Sequence, residues 1–297
     1  MSRAHVVARP PELPQCDLLG EGPFWSEGEG ALYWVDIAGR RAFRHDPASG
    51  AVRSWDFASP CAAIFPAARG GHVTALADGL YRFDIETGAS IPLAKPDPDP
   101  GNRSNETRCD PQGRIWLGTM HNNLGPEGQP LPISRSSGGL WCVDAEGRAT
   151  RMLGDIGITN TLCWSPDGAR LYFADTLKSV IWSFAYDPDG PRLSDRRVFV
   201  EGGAGGPDGS AMDEDGCLWT ARWGAGTVVR YRPDGRIDRE LALPVLQPSS
   251  CAFGGPDRKT LYVTSARFEM AQPGELDGAV LAVPVEVAGL PMTPFAG

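Results

Sequence analysis

Glu21, Cys61, Asn105, Asn160, Asp208 and Ser250 each stand five residues ahead of one copy of a phrase that recurs six times in the 297-residue chain. Four of the six carry carboxylate or amide oxygens. Asn and Asp are common at turns and strand ends because they cap their own backbone, and that local role suffices for any one of them alone. A set with two acids at equivalent positions is different. Two carboxylates brought together without a cation repel, and one takes up a proton. Glu, Asn and Asp oxygens without a histidine suit one hard divalent cation. Ca, Mg and Mn fit best, and Zn or Fe(II) is acceptable.

The phrase itself is a polar turn with Gly, Pro or Asp that leads into an apolar strand. Its copies are Ser26–Ile37 (SEGEGALYWVDI), Pro66–Ala77, Asp110–Met120 (DPQGRIWLGTM), Ser165–Thr176 (SPDGARLYFADT), Asp213–Trp223 (DEDGCLWTARW) and Gly255–Ala266 (GPDRKTLYVTSA), with starts 40, 44, 55, 48 and 42 residues apart. Each copy is followed by another strand, such as Arg41–His45 or Thr227–Tyr231, and usually by an Asp/Gly turn (DPASG, DIETG, DPDG) of the kind that closes hairpins. A period of roughly 40–50 residues with several strands per period predicts a β-propeller. The expectation is an all-β, six-bladed propeller of four-stranded antiparallel blades, one domain over residues 1–297. The N-terminal stretch His5–Arg9 is expected to supply the outer strand of the last blade and so remove an exposed edge.

That architecture puts the six equivalent positions around one mouth of the central channel. Loops joining second and third strands should overhang the same mouth. They include Thr176–Lys178, Arg222–Gly226, Arg267–Gly278 and the longest insertion, His121–Ser137, whose length suits a lid or binding loop. Arg103, Arg222, Trp223 and Arg267 become candidates to contact a small ligand, with solvated loop or ion-pair roles as the alternative. His121 lies in the insertion and could touch a substrate. The four histidines (5, 45, 72, 121) form no HxxxH or HExxH pattern.

Composition narrows the partners. A net charge of −9 argues against nucleic acid and anionic membrane. The seven cysteines (16, 61, 109, 142, 163, 217, 251) are odd in number and show no CxxC spacing, which predicts buried free thiols in a reducing compartment. No apolar run approaches 18 residues and no signal-type segment opens the chain, so a cytoplasmic location is expected.

The ordered phrases Gly20-Glu21-Gly22-Pro23, Arg103-x-Asn105, Gly118-Thr119-Met120, Ile158-Thr159-Asn160 and Pro207-Asp208-Gly209 resemble those of the senescence-marker-protein / gluconolactonase / regucalcin family of six-bladed propellers. The resemblance runs from about residue 15 to residue 285. It implies metal-dependent hydrolysis of a sugar acid lactone to the aldonic acid, with a small-molecule sugar lactone as partner. It implies Glu21, Asn160 and Asp208 as metal ligands, Asp208 as the catalytic proton-transfer residue, and Arg103 and Asn105 on the substrate's hydroxyls. His121, Asn123 and Trp223 complete the expected substrate contacts. The chain departs from the family pattern at Glu106-Thr107, Thr161 and His121-Asn122-Asn123, which points to an altered sugar-recognition shell. No G-x-S-x-G elbow supports a serine nucleophile. The alternatives are another metal-dependent ester or organophosphate hydrolase of the same fold, and a non-enzymatic calcium-binding propeller.

Overall fold

The computed structural model describes residues 5–8 and 17–297. Six four-stranded antiparallel sheets follow one another along the chain as the blades of a propeller. Blade 1 is built from Gly20–Ser26, Ala31–Asp36, Arg41–His45 and Val52–Asp56. The innermost strands of blades 2 to 6 are Cys61–Pro66, Asn102–Cys109, Thr159–Trp164, Gly206–Met212 and Pro248–Gly254. The last blade is closed by His5–Ala8, which pairs antiparallel with Val280–Pro284. The closing strand expected at His5–Arg9 is therefore present; Arg9, like Cys16, lies outside the described residues. The other six cysteines are free thiols, and five of them are buried. No helix among the described residues is long and apolar enough to cross a membrane.

The repeated phrase has a physical reason that is clearest in blades 3 and 5. The first residue of the phrase, Asp110 or Asp213, is fully buried. One oxygen of Asp110 caps the turn by accepting from the Gln112 and Arg114 amides, and the other accepts from the Trp116 indole at 3.0 Å. Asp213 does the same with the Cys217 amide and the Trp219 indole, at 2.9 and 2.8 Å. Turn and strand are thus held by one carboxylate.

Aromatic pairs cross five of the six blade boundaries. They are Phe24–Phe65, Trp116–Trp164, Phe199–Tyr231, Trp219–Phe253 and Trp25–Tyr262, at centroid separations from 5.7 to 6.3 Å. Each adds about 0.5–1.5 kcal/mol beyond its buried area.

The C-terminal segment, to which the sequence analysis gave no role, straps the face opposite the expected site. Gly289 bonds Arg258 of blade 6, and Leu290 bonds Met212 of blade 5. The Trp25 amide of blade 1 donates to the Met292 sulfur. Phe295, fully buried, exchanges bonds with Pro66 and Ala68 at blade 2, and Ala296 bonds Gly113 of blade 3.

Candidate active site

Asp36 and Asp175 end the second strands of blades 1 and 4 and clamp the segments that enter the innermost strands. Asp36 accepts from the Leu18 and Leu19 amides at 2.9 and 3.0 Å, just ahead of Glu21. Asp175 accepts from the Gly157 and Ile158 amides at 3.1 and 3.2 Å, just ahead of Asn160. Blade 5 inverts the device. Arg222, at 1 % exposure, donates to the carbonyls of Gly202, Ala204 and Gly205 ahead of Asp208. Gly202, Gly203 and Gly205 all have positive φ, so this loop can fold tightly around a guanidinium.

Each of the six innermost strands also carries a register shift beside its equivalent position: at Glu21/Phe24, Cys61/Ala63, Ser104/Thr107, Asn160/Cys163, Pro207/Ser210 and Pro248/Ser250. Such bulges re-aim side chains. In blades 1, 3, 4 and 5 the result is convergence: Glu21, Asn105, Asn160 and Asp208 line one cavity of about 380 Å³. Cys61 and Ser250 are fully buried and do not line it. The Ser250 hydroxyl instead meets Arg108.

Hydrogen bonds distinguish the two amides. The Thr176 hydroxyl donates to the Pro207 carbonyl at 2.7 Å, so it can only accept from Asn160, whose Nδ2 lies at 2.8 Å. The Asn160 Oδ1 is thereby turned away from Thr176 and left with only a 3.3 Å contact from Asn105 Nδ2. The Asn105 oxygen accepts from Arg103 at 2.7 Å, and its amide donates to the Thr159 carbonyl at 2.8 Å. Asn160 offers an oxygen to a cation; Asn105 is committed to orienting its neighbours.

Asp208 Oδ1 is buried without a hydrogen-bond partner. Burial, then the charges of Glu21 and Glu106, hold the Asp208 carboxyl well above the ordinary aspartate range. Glu21 is likewise pushed up by burial and by Glu106, against the pull of the Gly22 amide and Arg103. Glu106, whose side chain is buried, is itself paired with the partly buried Arg108 at 2.7 Å. Among the described residues no three His, Cys, Asp or Glu side chains come together as a metal cage. The set here has two carboxylates, Glu21 and Asp208, and completes itself with an amide oxygen. An orphaned acid oxygen, a second acid that resists ionisation and an amide oxygen held free fit a hard divalent cation.

Of the expected substrate contacts, Arg103, Asn105, Asn123 and Trp223 line the cavity and His121 does not. Asn102 faces His121 across the ladder. Arg103 is buried, and burial lowers its pKa to about 10. Its Nε and Nη2 donate to Asn123 Oδ1 at 3.1 and 2.9 Å. Arg222 grips its own loop, and Arg267 is absent from the lining. The insertion is tied down by an Arg135–Asp99 pair and by Ser137 bonded to Asn102, and its residues Leu131, Pro132 and Ile133 wall the cavity. These loops were expected over the mouth, but Leu131, Pro132, Ile133, Leu177 and Phe268 within them were not singled out. Isolated apolar residues in loops gave no period to follow.

A family model described as the SMP-30/Gluconolactonase/LRE-like region matches residues 19–267. The chain is 38% identical to a 6-deoxy-6-sulfogluconolactonase of Pseudomonas putida, over 95% of this chain and 97% of that protein. It is 35% identical to an L-arabinolactonase of Azospirillum brasilense, over 94% and 92%. The crystal structure of a calcium-binding protein, regucalcin, from Agrobacterium tumefaciens superposes with a TM-score of 0.90 at 30% identity, covering 100% of this chain and 98% of that one.

Proposed function

Because the chain belongs to the SMP-30/gluconolactonase/LRE-like family, we propose that it hydrolyses a sugar acid lactone to the aldonic acid, with a divalent cation held by Glu21, Asn160 and Asp208. The observation that carries this reading is the buried, unpartnered Asp208 Oδ1 beside Glu21 and the freed Asn160 oxygen. A bound cation would act as a Lewis acid on the lactone carbonyl and stabilise the negative charge that forms on its oxygen. The names of the lactonases to which the chain is similar support the substrate class.

The chain's own residues supply the rest. Asp208, ionised when it holds the cation, removes a proton from the attacking water as general base. Arg103 and Asn105 hold each other at 2.7 Å, which fixes the guanidinium edge that meets the hydroxyls beside the carbonyl. Asn123 braces Arg103 from the other side. Three carboxylates (Glu21, Glu106, Asp208) and two guanidiniums (Arg103, Arg108) leave one net negative charge when all are ionised, so a dication reverses the sign of the site toward an oxyanion. A pH-indicator assay with a panel of aldonolactones, with and without chelator, tests the proposal. Hydrolysis that chelation abolishes and a divalent cation restores is expected. Undiminished hydrolysis in chelator removes the metal role, and no hydrolysis of any lactone removes the activity.

A further inference from the structure

The cavity divides by chemistry. At its floor the hydrogen-bonding capacity is nearly spent. Arg103 gives Nε and Nη2 to Asn123, and Nη1 to Asn105 and to the Ser104 carbonyl. Asn105 gives its amide to Thr159 and Asn160, and Asn160 gives its own to Thr176. The floor can serve a carbonyl and the hydroxyls next to it, and little more.

Above the floor the wall is carbon. Leu131, Pro132 and Ile133 come from the insertion in blade 3; Leu177, Trp223 and Phe268 come from blades 4, 5 and 6. Leu131 and Leu177 are 42% and 54% exposed on this rim. A single exposed leucine needs no explanation. Two on the rim of one cavity, together with an indole and a phenyl ring, make an apolar collar. The charged side chain of that collar is Glu269, which repels an anionic tail.

We propose that the end of the substrate remote from the reacting carbonyl is apolar: a lactone carrying a methyl or longer alkyl group where an ordinary hexonolactone carries a hydroxymethyl. This rests on the lactone-hydrolase reading above. A hydroxyl pressed into the covered part of this wall, between Ile133, Trp223 and Phe268, loses its water and meets only carbon, which costs about tenfold in transition-state binding. A methylene in the same place gains about fourfold.

The test compares kcat/KM for D-glucono-1,5-lactone and its 6-deoxy counterpart on the metal-loaded protein. A preference for the deoxy lactone of about tenfold is expected. Leu131→Ser and Ile133→Ser should each reduce it to about twofold or less without moving Tm. Equal or better turnover of the hydroxymethyl lactone, or a preference that neither variant moves, overturns the proposal. Calorimetric titration with the matching pair of non-hydrolysable lactams reads the same preference in binding alone. A deoxy preference among the lactams with no turnover of either lactone would sink the hydrolase reading and leave the apolar collar standing.

Discussion

Asn105 and Asn160 present the same amide at equivalent points of adjacent blades, yet only one has its oxygen free of a charged donor. The four oxygen-bearing residues were legible in the sequence because the repeat brings them into register. What each amide does was not, since it depends on the hydrogen of a threonine hydroxyl one strand away. His121 and Arg222 illustrate the same limit: their positions were foreseen and the direction of their side chains was not. Thr161 is a further case. It is a β-branched residue at φ 50, where the cost is on the order of 1–3 kcal/mol. Its hydroxyl donates to the Asp208 carbonyl at 2.6 Å, which ties the two blades together beside the candidate ligand. At this scale the sharpest expectation concerns Asp208→Asn. The amide keeps the shape and removes the acid, so kcat should fall by roughly 10²–10⁴. Because the carboxylate is held in the fold against its preference for water, the chelated variant at pH 8 should melt no lower than the chelated wild type. A variant that keeps its activity, or whose chelated form melts clearly lower, contradicts the role given to this residue.

Between residue and molecule stand the clamps. Asp175 holds the Gly157 and Ile158 amides and also pairs with Lys178 at 2.9 Å. Removing the carboxylate leaves two inward amides without partners. Asp175→Ala should lower the unfolding free energy by about 1–3 kcal/mol and weaken cation binding through Asn160, as read from denaturant midpoints and a metal titration. Asp144→Ala removes the half-buried carboxylate of an outer-hairpin turn, which accepts from the Glu146 and Arg148 amides and the Arg148 guanidinium, and should leave cation binding unchanged. Equal effects of the two on cation binding would show that the clamp does not position the site. The acids were visible at the ends of their strands in the sequence, but which backbone they would reach depends on the path of the entering segment. Strands, turns and blade count were legible for a simpler reason: each blade repeats one pattern of apolar alternation and turn residues.

Across the whole molecule, proton uptake by the site couples to stability. Glu21 and Asp208 are both raised in the fold from ordinary values of 4.5 and 3.8. The folded chain therefore binds more protons than the unfolded one above those values, and stability falls as pH rises. Metal-free protein should lose Tm progressively from about pH 5 toward pH 8. Saturating divalent cation, which binds the ionised acids, should flatten that slope. A chelated protein whose Tm is level or rises over that range would contradict the shared-site geometry. The exposed ion pairs that dot the outer strands, such as Arg41–Asp56 and Arg53–Glu86, contribute little to this dependence because solvent screens them.

The closing strand has a consequence for how the protein is made. His5–Ala8 is synthesised long before Val280–Pro284, the strand it pairs with. At roughly 5–20 residues per second, the wait is on the order of 15–50 s. Throughout that time the last blade is incomplete, and His5–Ala8 has no neighbour to pair with. Until Val280–Pro284 has been made, the nascent chain presents an unpaired strand to the cell, and its ring is sealed only afterwards.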